Sequence, residues 1–120
     1  MTTKPRIAIT IGDAAGIGPE VTLKALGAPK LSNSAEIIVV GDAAHLGSVA
    51  SRFDLKPLPA SISIDDLKNL PPSFSYGADS ALTGKAAAEN IVRAVELWKA
   101  GKIDAIVTAP ISKNAIKLGG

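Results

Sequence analysis

At 120 residues the chain has the length of one domain, enough for a single hydrophobic core and too little for two independent ones. Apolar residues make up 47% and charged residues 20%, far from the signature of disorder; a net charge of +2, with lysines and arginines scattered among acids, leaves no block suited to nucleic acid or a membrane surface. The absence of cysteine excludes disulfides, thiolate metal sites and a cysteine nucleophile, and aromatics at 3% leave the core to Ala, Val, Ile and Leu.

The first apolar run, Ile7 to Ile11, is short, β-branched and bounded by turn residues, as in a buried strand. It is too short for a signal or a membrane span, so a cytoplasmic protein is expected. Gly12 to Gly18 form a loop, and Pro19 suits the first turn of a helix that carries Glu20 at its positive end and stops near Gly27. A second cycle follows, with Glu36 to Val40 as a strand, Asp42 as a cap, and Leu46, Val49, Ala50 and Phe53 on one helix face.

From Asp54 to Gly77 four prolines break any long helix, and Leu58, Ile62 and Ile64 permit at most short edge strands. Ala87, Ile91, Ala94, Val95 and Trp98 then recur at helical spacing, with Glu89, Arg93 and Glu96 opposite and Gly101 as terminator; Trp98 reads as core. Lys102 to Thr108 forms another strand, Ala109-Pro110 its turn, and Ser112 the cap of a last short helix ending near Gly119-Gly120. The alternation predicts an α/β fold with a mostly parallel sheet and helices on both faces, the whole of 1–120 forming a single α/β region.

Ligands of open parallel sheets bind beyond the carboxyl ends of the strands. That rule selects the loop Gly12 to Pro19 and the turn Thr108 to Lys113, which offer Asp13, the amides near Gly16 and Gly18, Thr108 and Lys113 as lining for a substrate or cofactor. The glycine loop could receive an anion or could simply be a tight strand-to-helix turn. It is not a dinucleotide fingerprint, because Val21 stands where the third Gly or Ala belongs, and Gly77 to Lys85 is not a P-loop, because Asp79 stands where a glycine is needed. Asp13 could bind a metal or a hydroxyl, or could satisfy nearby amides. Lys113 is either a partner for a phosphate or carboxylate or a solvated lysine that gains nothing from its helix dipole. Ser80, Thr83 and Lys85 open the long helix as caps or as an anion site, and His45 reads as a surface or partly packed residue. One histidine and no cysteine supply no three-histidine or Cys/His metal site within the chain, and no serine sits in a G-x-S-x-G elbow; the residues alone name no catalytic group.

The run ITIGDAAGIGPEVTLKAL, from Ile9 to Leu26, resembles the opening of the 4-hydroxythreonine-4-phosphate dehydrogenase family of pyridoxal phosphate biosynthesis, whose usual motif is G-D-P-A-G-I-G-P-E. The segment ALTGKAAAENIVRAVELWKAGKIDAIVTAPISKNAI, from Ala81 to Ile116, is similar to the family's alanine-rich helix, strand and T-A-P-x-x-K turn. Ala14 replaces the usual proline, and Ser112 the common Asn or His. The resemblance implies the N-terminal part of a longer, two-domain enzyme of isocitrate/isopropylmalate dehydrogenase-like fold. It implies a homodimer, with NAD and a divalent metal (zinc, magnesium or cobalt) in a cleft between the domains. The implied reaction oxidises a small phosphorylated hydroxy acid, 4-phosphohydroxy-L-threonine or a relative such as phosphorylated threonate or erythronate, and decarboxylation follows. The family's metal-binding histidines fall outside these residues, so 1–120 alone is expected to be inactive. Two other readings stay open: a fragment of the isocitrate/isopropylmalate group, whose turn looks like G-D-G-I-G-P-E, and a non-catalytic anion-binding or assembly module.

Overall fold

Each apolar run flanked by glycine or aspartate becomes a strand that hands over to a helix, and the helices return the chain so that every strand points the same way. The computed structural model describes residues 4–71, 74 and 76–120. Strands β1 (Arg6–Thr10), β2 (Glu36–Gly41), β3 (Ser63–Asp66) and β4 (Ala105–Thr108) form one sheet in the order β3-β2-β1-β4, with all pairs parallel. Helices α1 (Gly18–Leu26), α2 (Pro29–Ser34) and α3 (Ala43–Arg52) precede β3, and α4 (Ala81–Lys99) and α5 (Lys113–Gly119) flank β4 in sequence.

Alternation along the strands divides the core between two faces. Ile11, Ile37 and Val39 meet Leu23 and Leu26 of α1 and Leu46, Val49 and Ala50 of α3. Ala8 and Val40 meet Ala94 and Leu97 of α4, together with Ile103. Burying each of the larger aliphatic side chains contributes roughly 1.5–3 kcal/mol, so these two layers dominate stability. At the amino ends of the strands, Arg6 and Asp104 form a two-pronged pair, with Nη2 to Oδ1 at 3.0 Å and Nε to Oδ2 at 3.3 Å, and the Arg6 amide donates to the same carboxylate. Asp104 is thereby engaged just before β4 begins, three residues inside the strand that hydropathy predicts from Lys102.

The long helix lies where its periodicity places it but is turned on its axis. Its buried residues are Thr83, Gly84, Ala86, Ala87, Asn90, Ala94 and Leu97, whereas Ile91 and Val95 are half-buried and Trp98 is 55% exposed. Small residues on the inner face let α4 lie close to the sheet and to α5, and no space remains there for an indole, which corrects the expectation that Trp98 belongs to the core. Phe53, at the end of α3, is likewise exposed. Residues 63–66 do form the short edge strand anticipated for that region, whereas α2 has no counterpart in the sequence reading.

Beyond β4 the sheet stops. Among the described residues β4 pairs with β1 alone, and Val107 is 49% exposed beside an apolar groove of about 430 Å³ lined by Ile9, Val21, Leu26, Leu31, Val107 and Pro110. An exposed apolar groove of this kind beside an unpaired strand edge marks an interaction surface.

The α4–α5 contact depends on backbone proximity. A Cβ on Gly84 would overlap the Ala115 carbonyl oxygen, and one on Gly119 would sit 2.7 Å from the Lys85 nitrogen. Asp79 fastens the start of α5: its Oδ1 accepts from the Ser112 hydroxyl at 2.7 Å and its Oδ2 from Asn114 Nδ2 at 2.9 Å. Those two donors, Asn114 foremost, hold the Asp79 carboxyl below the ordinary carboxylate range.

Gly84→Ala is expected to cost about 1–3 kcal/mol, because the clash is with backbone and no rotamer relieves it, and so to lower Tm by roughly 5–20 °C in thermal unfolding. Gly47→Ala, on α3 with nothing within 4 Å of its Cβ, should instead stabilise by roughly 0.5–1 kcal/mol. An unchanged Tm for Gly84→Ala contradicts the close crossing. For Asp79, the folded state favours the charged form, so its contribution is present above the unfolded-state pKa and is lost as pH falls through the lower folded value. An NMR titration should find the Asp79 midpoint below that of a free aspartate, and Ser112→Ala with Asn114→Ala should raise it; an unmoved midpoint contradicts the tether.

Candidate functional site

The strand order sets the location. The chain moves outward from β1 through β2 to β3, then crosses back to place β4 on the other side of β1. The reversal falls between β1 and β4, and in open parallel sheets the crevice at such a switch point, at the carboxyl ends of the strands, is the usual ligand position. The two loops that meet there are the glycine loop after β1 and the Ala109-Pro110 turn after β4.

They touch through their backbones. The Ala109 amide donates to the Thr10 carbonyl at 3.0 Å, and the Asp13 amide to the Pro110 carbonyl at 2.9 Å, so the ladder between β1 and β4 continues past both strands. Gly12 has φ +75°, a left-handed conformation, and its missing Cβ leaves space that the Pro110 and Ala109 carbonyl oxygens occupy. Gly18 is equally confined, since a Cβ there would overlap the Ile11 carbonyl oxygen and lie 3.1 Å from that of Pro110. Two of the three glycines therefore admit the chain's own backbone.

Inside the loop the polar groups are largely paired. Asp13 Oδ1 accepts from the Ala15 amide at 3.0 Å, and the Asp13 carbonyl accepts from the Gly16 amide at 3.0 Å. These bonds form an Asx turn of the kind that favours aspartate at such positions. A phosphate at this loop would find the amides of Asp13, Ala15 and Gly16 already engaged.

The other wall is open. Thr108 and Lys113 are exposed, and Lys113 occupies the first position of α5, right after its cap Ser112, which accepts from the Ala115 amide at 3.1 Å. Among the described residues Lys113 forms no ion pair. The structure thus brings Asp13, Gly16, Gly18, Thr108 and Lys113 to one rim of the sheet. Ser80 and Asp42 act as caps, accepting from the Thr83 and His45 amides. Asp79 and His45 were not singled out by composition or spacing for the roles they have: Asp79 holds the cap of α5, and His45 reaches the glycine loop from α3.

Among the described residues no three His, Cys, Asp or Glu side chains cluster as metal ligands. The described residues do not fit a divalent-metal site by themselves, and the engaged glycine loop does not form a pyrophosphate cradle.

A model of the family described as "Pyridoxal phosphate biosynthetic protein PdxA" matches residues 25–120. The chain is 39% identical to a D-threonate 4-phosphate dehydrogenase of Cupriavidus necator, covering 97% of this chain and 39% of that one. It is 37% identical to a 4-hydroxythreonine-4-phosphate dehydrogenase of Trichlorobacter lovleyi, covering 99% and 40%. The crystal structure of a 4-hydroxythreonine-4-phosphate dehydrogenase from Burkholderia phymatum superposes with a TM-score of 0.91 at 36% identity, again over 99% of this chain and 40% of that one. The chain therefore spans about 40% of the length of these relatives. By the family match over most of its length and its fold, the chain belongs to the PdxA family.

Proposed function

We propose that residues 1–120 are the N-terminal part of an NAD-dependent, divalent-metal-dependent dehydrogenase that oxidises a small phosphorylated hydroxy acid, with loss of carbon dioxide from the β-keto acid formed. The substrate is 4-phosphohydroxy-L-threonine or a phosphorylated threonate, the two classes in the relatives' names. The observation that carries this reading is the union of the glycine loop and the Pro110 turn at the switch point, within a fold matched by the Burkholderia phymatum enzyme. In this reading Asp13, Gly16, Gly18 and Thr108 line one wall of the cleft, and Lys113 faces a substrate anion without a competing carboxylate.

The rest of the enzyme supplies what this chain lacks: a second domain completing an isocitrate/isopropylmalate dehydrogenase-like architecture, the metal ligands and most of the cofactor site. The unpaired edge of β4 and its apolar groove favour this division, since they leave surface for further chain to cover. A metal and a nicotinamide held by that portion would supply polarisation of the alcohol oxygen and acceptance of hydride. The contribution of these 120 residues is a rigid wall and one cation. The functional unit is proposed to be a cytoplasmic homodimer; among the described residues no helix is long and apolar enough to cross a membrane.

The test is an NADH-formation assay with either phosphorylated acid and added zinc, magnesium or cobalt. The 120 residues alone should show no turnover, and the chain fused to the remaining portion of the Cupriavidus necator relative should be active. Turnover by the isolated chain overturns the division of labour, and a folded but inactive fusion counts against the assigned reaction. In the active fusion, Lys113→Ala should raise KM by about tenfold or more, as for loss of a hydrogen bond to a charged group; unchanged kinetics removes Lys113 from the site.

A further inference from the structure

The single histidine of the chain is buried against the back of the glycine loop. His45 is 7% exposed, and its Nε2 lies 3.1 Å from the Ala14 carbonyl oxygen. A carbonyl only accepts, so this contact places a proton on Nε2, and Nε2 is the donor. The ring is roofed by Phe74 and Tyr76, with centroids 5.1 and 6.0 Å away, and the Arg52 guanidinium lies 4.4 Å from the Tyr76 ring centre.

The same roof ties the next carbonyl, because the Gly77 amide donates to Ala15 O at 2.6 Å. Ala14 O and Ala15 O are thus held from behind by His45 of α3 and by Gly77, while the Asp13 amide is held by Pro110 in front. His45 itself is fixed, since its amide donates to Asp42 Oδ1 at 2.9 Å and Asp42 Oδ2 accepts from the Leu70 amide at 3.0 Å.

We infer that His45 is a positioning residue: its ring, donating from Nε2 to the Ala14 carbonyl, sets the path of the glycine loop that walls the proposed site. The inference deepens the functional reading above. Burial pushes the ring's pKa down, opposed by the Ala14 carbonyl and the Asp42 charge. The charged and titratable groups facing the same cavity of about 740 Å³ are Asp42, Arg52, Asp66, Lys68 and Tyr76. Asp66 Oδ1 is occupied by the Ala43 and Lys68 amides.

The test compares His45→Leu, which keeps apolar volume but removes the donor, with His45→Gln, whose amide nitrogen can reach the same carbonyl, by hydrogen exchange on the whole chain. In His45→Leu the amides of Ala15 and Gly16 should exchange about tenfold faster relative to the core amides of Val39 and Ala94, the scale of one lost hydrogen bond, and His45→Gln should restore most of the protection. Wild-type exchange at Ala15 and Gly16 in the leucine variant, or equal loss in both variants, overturns the inference. Should the leucine variant not fold, the wild-type ring titration decides. Ala15 and Gly16 amide shifts that follow the His45 midpoint support the role, and shifts indifferent to it refute it. Neither readout involves substrate, so failure here leaves the proposed dehydrogenase reaction to its own assay.

Discussion

The Asp13 amide reaches the Pro110 carbonyl across 2.9 Å, and the other loop contacts depend on that approach. Two loops from strands that are neighbours in the sheet but far apart in sequence can close to this distance only if side chains are absent from the approach. Gly12 and Gly18 meet that requirement, and an alanine at either would place a methyl on a backbone oxygen. The glycine-rich opening of the family motif is in this chain a packing device first: it lets the β1–β4 ladder run on into the loops and makes the carboxyl rim of the sheet one continuous wall.

From that contact the layers follow outward. The Asx turn of Asp13 uses the amides that a free glycine loop would offer an anion, His45 and Gly77 hold the carbonyls behind, and Asp79 holds the helix start that carries Lys113. Among the described residues of this rim, Lys113 forms no ion pair. In the proposed function, binding at such a preorganised wall would avoid the cost of ordering it with each ligand.

Much of this arrangement was legible in the sequence because local signals agree. β-Branched runs bounded by glycine or aspartate, the capping residues Asp42, Ser80 and Ser112, and the alternation of strand and helix determine element types and the parallel class. The rim that gathers Asp13 and Lys113 follows from topology alone. What remained hidden depends on tertiary distance. Helical spacing cannot say which side of an alanine-rich helix is inward, so Trp98 was misplaced while Asn90 took a buried position. Nor does a lone histidine in a helix announce that its ring meets a loop 31 residues earlier.

If the glycines admit the chain's own Pro110 turn, a through-hydrogen-bond scalar coupling must link the Asp13 amide nitrogen to the Pro110 carbonyl carbon. The coupling should be resolvable, and the Asp13 amide should be protected like those of β1. An absent coupling, with the Asp13 amide exchanging as freely as an unpaired surface amide, would contradict it.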